Sequence, residues 1–165
     1  MTAHPDLILR DELKLRVDAL KLYGLMAHWD DLAESELPWV QRLVQWEEVI
    51  RKRRGLERRL SAAHIGRFKP LADFDWRWPR QCDQAAVSDL MTLGFIQSAS
   101  NVILVGPNGV GKSMIAQNIA HHAVLQGHSA LFINAAQMLG DLAAQDGDNA
   151  LRRRLKHYEI GRAHV

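Results

Sequence analysis

A chain of 165 residues with 47% hydrophobic and 24% charged side chains has the composition of a globular protein, and its length admits one domain, or a small domain joined to part of a larger one. No apolar run approaches the roughly 18 residues of a membrane helix, the N-terminus lacks the basic stretch and apolar core of a signal peptide, and Cys82 is the only cysteine; an internal disulfide is excluded, a structural zinc site is disfavoured, and a cytoplasmic location is expected. The formal net charge of +2 hides an uneven distribution: residues 1–40 carry four basic and eight acidic side chains, residues 41–69 nine basic and three acidic, a net of +6, which suits a polyanion such as duplex DNA.

The first element reads as a helix, because Leu13, Val17, Leu20 and Gly24 recur every three or four residues and Leu22, Leu25, Trp29 and Leu32 widen the same face. Pro38 suits the first turn of a second helix, from Trp39 to about Ala63, with Leu43, Trp46, Ile50, Leu56 and Leu60 on one side. The two are expected to pack as a helical hairpin, residues 1–66, with a role in binding DNA or a partner. "RFKPLADFDWRWPRQCD", residues 67–83, breaks the period with two prolines and a cluster of aromatics, which places the domain boundary there. A short helix follows from about Asp83 to Leu93. "NVILVG", residues 101–106, is a β-branched apolar run that reads as a buried strand. A helix from Met114 to Leu125 ends at Gly127. "SALFIN", residues 129–134, is a second expected strand, and "AAQMLGDLAAQ" and "NALRRRLKHY" are further helices. Alternating strands and helices predict an α/β fold with a parallel sheet over residues 67–158.

Gly106 to Ser113 fits G-x-x-x-x-G-K-[ST] at every defined position, between an expected strand and an expected helix. The spacing follows from the chemistry. Glycines let the backbone curl so that successive N–H groups point at phosphate oxygens, and the following helix adds its positive end. The candidate ATP-binding residues are Gly106, Pro107, Asn108, Gly109, Val110, Gly111, Lys112, Ser113 and Met114; Lys112 is expected to reach the β- and γ-phosphates and Ser113 to ligate Mg²⁺.

Arg51, Arg54 and Arg58 recur at intervals of three and four, with Lys52, Arg53 and Arg59 beside them. Such a stripe could follow a phosphate backbone, and Arg51, Lys52, Arg54, Arg58 and Arg59 are the candidate DNA contacts. The alternative is a solvated face, partly neutralised by Glu47 and Glu48 four residues before Arg51 and Lys52. Phe74, Trp76 and Trp78 either pack the boundary segment onto the core or wall an adenine pocket.

"LKLYGLMAHWDDLA", "DFDWRWP", "NVILVGPNGVGKSMIAQNIAHHAVLQGH" and "INAAQMLGDLAAQDGDNALRRRLKHY" together resemble the IstB-like helper ATPases of insertion sequences, which are close in sequence to DnaC-type helicase loaders. The resemblance runs from about Leu20 to Tyr158. It implies an AAA+ fold, ATP with Mg²⁺, assembly into homo-oligomers on duplex DNA, and a transposase partner. A helicase loader in DNA replication, or a non-enzymatic DNA-binding fragment, are the other readings the residues leave open.

Members of that family continue after the equivalent of "LKHY" into an apolar strand ending in an Asp-Glu pair, then sensor residues and an arginine finger. This chain has "EIGRAHV" instead. Among its many codings, that peptide can be back-translated, after one leading base, as AGATCGGAAGAGCACACGTC, which looks like a sequencing-library adapter. Residues 159–165 are therefore expected to be a non-native tail on an incomplete ATP-binding domain, without the groups that activate water and stabilise transition-state charge.

Overall fold

The computed structural model describes residues 10–77 and 82–158. Trp78 and the tail at 159–165 lie outside the described residues. The chain divides into two compact units, which part after Glu57.

In the first unit, α1 (Arg10–Ala19) leads into the short α2 (Tyr23–Ala27), two 3₁₀ turns at Trp29–Asp31 and Glu34–Glu36, and the start of α3 (Leu37–Ala62). Leu13, Val17 and Leu20 pack with Trp29, Leu37, Val40 and Val44 in one core. The single helix expected through Leu32 is broken at Lys21, which adopts φ 54°. There the Leu22 N–H donates to the Val17 carbonyl at 3.2 Å and the Lys21 N–H to the Asp18 carbonyl at 2.7 Å. This paired cap is the usual way to end a helix on a left-handed residue; here a lysine occupies the place glycine normally takes.

The buried side of α3 also differs from the expected one. Leu37, Val40 and Val44 are buried, whereas Trp46 is 55% exposed and stands edge-on to Trp39 at 6.4 Å. Continuing the buried stripe by three and four residues leads to Glu48 and Arg51, so the inward face turns polar. Those side chains find partners on and just beyond α1. Arg16 donates through Nε and Nη2 to both Glu48 carboxylate oxygens, at 2.8 and 2.7 Å, and Arg51 Nη1 donates to the Leu20 carbonyl at 2.6 Å.

The second unit contains the end of α3, a 3₁₀ turn at Leu71–Asp73, α4 (Gln84–Leu90), α5 (Gly94–Gln97), α6 (Lys112–Leu125), α7 (Ala135–Ala143) and α8 (Asp148–Tyr158). Asp83 caps α4 by accepting from the Ala86 N–H at 2.9 Å, and Asn134 caps α7 by accepting from the Gln137 N–H at 2.8 Å. α6 ends in the same paired cap as α1, with Gly127 at φ 101°. Its core joins Phe74, Val87 and Ile115, with Leu71, Trp76, Cys82, Leu104, Met114 and Ile119 packed against them.

The expected parallel sheet is absent among the described residues, where the regular elements are all helices. Residues 101–107 and 128–134, which include both expected strands, carry no regular secondary structure. β-Branched composition favours a strand only where neighbouring strands take up its N–H and C=O groups and its side chains are covered. Here Ile103 and Val105 are 81% and 89% exposed, and only Leu104 of that run joins the core. In the second segment the Phe132 N–H donates to the Ala63 carbonyl, just after α3, at 2.8 Å. The α/β assignment is therefore replaced, for the described residues, by helices joined by irregular segments.

Candidate functional site

Gly106 to Gly111 form a tight turn that delivers the chain into the N-terminus of α6. Gly109 and Gly111 have φ 83° and 92°, conformations that strain a residue with a side chain. Gly111 is required twice over: a Cβ built on it would overlap Cε2 of Phe74 and lie 3.2 Å from its Cζ.

Unlike α4 and α7, α6 begins without a side-chain cap. The N–H groups of its first turn, at Lys112, Ser113 and Met114, have no carbonyl one turn earlier in the helix to accept them. An anion is the complementary partner, favoured also by the positive end of the helix dipole. Lys112 folds back over the turn, its Nζ donating to the carbonyls of Gly106 at 2.8 Å and Pro107 at 2.5 Å. An ammonium carries three protons, so one remains for a ligand together with the charge. Ser113, in the same first turn, is exposed. Glycines at the strained positions, an uncapped helix start and a lysine across the turn fit a phosphate chain; Cβ atoms at 109 and 111 would not.

The position of this turn is fixed from behind. Asn118, which is 8% exposed, accepts from the Leu71 N–H at 2.9 Å and donates through Nδ2 to the carbonyls of Lys69 at 2.9 Å and Met114 at 2.8 Å. Gln117 Nε2 donates to the Ile65 carbonyl at 2.9 Å. Two successive side chains of α6 thus hold the segment 65–71 against the helix that carries the loop. Phe74 meets Trp76 with ring centres 4.7 Å apart and ring planes tilted by 54°, and Phe74 is buried in the core. Sequence reasoning passed over Asn118. Its signal is an amide on the face that also carries Ile115 and Ile119, where a polar group must find partners.

The basic residues of α3 are not equivalent. Arg51 is engaged with Leu20 and, through Nε, with Glu47 at 3.1 Å, and Arg53 pairs with Glu57 at 3.5 Å. Lys52, Arg54 and Arg58 are exposed, and Arg59 is half-buried with its Nε enclosed and unpartnered. On α8, Arg154 and the Tyr158 hydroxyl both donate to Asp141 Oδ2 on α7. These bonds, that from Arg154 foremost, hold the Asp141 carboxyl below the usual carboxylate range. The described residues contain no cluster of metal-ligating side chains and no helix long and apolar enough to cross a membrane.

A glycine turn with left-handed joints, opening an uncapped helix and crossed by its lysine, defines the class of phosphate-loop nucleotide-binding proteins. The profile of the family described as IstB-like ATP binding protein matches residues 10–163. The chain belongs to that family, and nucleotide binding is the property the family carries. It is 33% identical over 158 residues to a Pseudomonas aeruginosa protein named as the ATP-binding protein of insertion sequence IS21, covering 92% of this chain and 60% of that one. It is 31% identical over 153 residues to an ATP-binding protein in an insertion sequence of Mycobacterium tuberculosis, covering 88% and 61%. A Bacillus thuringiensis protein named for insertion sequence IS232 is 27% identical over 154 residues, covering 89% and 62%. The chain thus spans about three fifths of the length of these relatives.

Proposed function

We propose that this chain carries the phosphate-binding part of an ATP-dependent helper of DNA transposition. The observation that supports it most is the loop from Gly106 to Met114, with left-handed glycines at 109 and 111 and Lys112 drawn over the turn. The backbone N–H groups of the loop and of the first turn of α6 would hold the β- and γ-phosphates of ATP, and Lys112 would offset their charge. Ser113 would ligate Mg²⁺, which when bound lowers the charge repulsion within the phosphate chain.

The insertion-sequence names of the relatives favour transposition over helicase loading, and with it a transposase as partner, self-assembly and duplex DNA as the surface of action. DNA contact is assigned to α3, with Lys52, Arg54 and Arg58 as its exposed cations, and Arg51 and Arg59 supporting them. The domain plan is a DNA- or partner-binding region up to residue 66 and an ATP-binding region over 67–158. Titration of the purified chain with a fluorescent ATP analogue and Mg²⁺, in the presence and absence of duplex DNA, tests the proposal. Saturable binding competed away by unlabelled ATP supports it, and no saturable binding refutes it.

A further inference from the structure

The aromatic segment that leads into the ATP-binding region passes directly behind the phosphate loop, and one of its side chains touches the loop at its most constrained residue. Phe74 is 8% exposed, shares a core with Val87 and Ile115, and presents its ring edge where Gly111 would carry a Cβ. Ile115 lies one turn into α6, and its N–H donates to the Gly111 carbonyl at 3.0 Å. The ring is therefore wedged between the joint that reverses the chain and the first turn of the helix behind that joint. The segment bearing Phe74 cannot slide away, because Asn118 holds Leu71 and Lys69, and Gln117 holds Ile65.

We propose that Phe74 is a positioning residue for the phosphate loop: its ring braces Gly111 in the left-handed conformation that aims the first-turn N–H groups of α6 at the ligand. The inference rests on the reading of this loop as the ATP site. Glycine at 111 is free to leave φ 92° when nothing leans on it, since it has no side chain to restrict it. A brace against its Cα face restores that restriction from outside. Nucleotide affinity then depends on a residue that touches no nucleotide, because an ordered loop loses less entropy on binding.

The test uses Phe74→Leu in the whole chain. Hydrogen exchange of the ligand-free proteins is followed at the Ile115 amide, whose bond to the Gly111 carbonyl is lost when Gly111 leaves its left-handed conformation, and affinity is measured with the fluorescent ATP analogue. Phe74→Leu should speed exchange at Ile115 at least about tenfold beyond any change in the rest of α6, and weaken nucleotide binding by about tenfold. Exchange that rises uniformly across the unit, in step with a loss of global stability, would overturn the proposal, as would parent-like exchange at Ile115. If the parent binds no nucleotide, the ATP reading fails by itself, while the exchange comparison still decides whether Phe74 holds the loop.

Discussion

Arg51 reaches across to Leu20: its Nη1 donates to the Leu20 carbonyl at 2.6 Å while its Nε meets Glu47 at 3.1 Å. Leu20 follows the last residue of α1, where a helix leaves carbonyls without partners and its dipole favours a cation. Arg51 thus ties the end of α1 to α3. Arg51→Gln is expected to destabilise the first unit by about 1 kcal/mol, below the usual range for a charged hydrogen bond because the side chain is 47% exposed. Urea unfolding of parent and variant measures it.

The exposed cations of α3 lead to a different expectation. Replacing Lys52, Arg54 and Arg58 together with glutamine should leave stability nearly unchanged and reduce the slope of log affinity against log salt, for any duplex sequence, by about 2 to 3. Fluorescence anisotropy with labelled duplex DNA between low and moderate salt provides the slope. An unchanged slope would make these residues a solvated face.

Lys112 contributes the charge in the phosphate turn, and two of its protons are already held by the Gly106 and Pro107 carbonyls. Lys112→Ala removes that charge and loosens the turn together. ATP-analogue affinity is expected to fall at least about tenfold, the size of one lost charged hydrogen bond, with helical circular dichroism unchanged. Equal affinity in parent and variant would dismiss the loop as the phosphate site.

Asn118 should be among the costliest positions in the second unit. Asn118→Leu keeps the branched outline in a larger side chain, but strands the Leu71 N–H and the Lys69 carbonyl and puts an isobutyl group against them. A loss of about 2 to 3 kcal/mol is expected from the hydrogen bonds broken and polar groups left unmet. Thermal unfolding gives the loss; a change under about 0.5 kcal/mol, the scatter of a surface substitution, would mean the tether is dispensable.

Glu48 is held below the usual carboxylate range, chiefly by its hydrogen bonds from Arg16, against an opposing effect of burial. A carboxylate whose folded pKa is depressed adds stability that is complete above its unfolded pKa and drains away as pH falls through the folded one. With a 39% exposed side chain and a two-point guanidinium partner, the pair is worth about 1 kcal/mol at neutral pH. The stability difference between parent and Glu48→Gln should therefore hold at pH 6 and close between about pH 5 and pH 3. A gap that persists at pH 3 would assign the effect to packing.

The helices were legible where their signals are local. Asp83 and Asn134 announce α4 and α7 as capping residues, and Gly127 announces the end of α6. The break at Lys21 was not legible, since lysine carries no preference for the left-handed conformation it adopts there. The inward side of α3 was misread because Trp46 counts as apolar in any pattern, while Glu48 and Arg51 are drawn inward by partners on and just beyond α1 that no spacing on α3 reveals. The sheet failed for a related reason: strand pairing is a relation between segments, and the composition of "NVILVG" carries only one side of it. Of the site, the glycines and Lys112 stand in the sequence pattern, whereas the brace at Phe74 and the tether at Asn118 arise only when residues more than 35 positions apart meet.

The exposed run at 102–105 sets how this chain behaves in a crowded solution. Val102, Ile103, Leu104 and Val105 carry no charge and no proline, and three of the four are exposed. Their backbone groups are outside any regular ladder, so the same run on another molecule can align with them and grow a stack. Concentrated protein is therefore expected to be prone to fibre formation. Chaperones that grip short aliphatic stretches would find a ready handle on it, and a single lysine at position 103 or 105 would act as a gatekeeper against both.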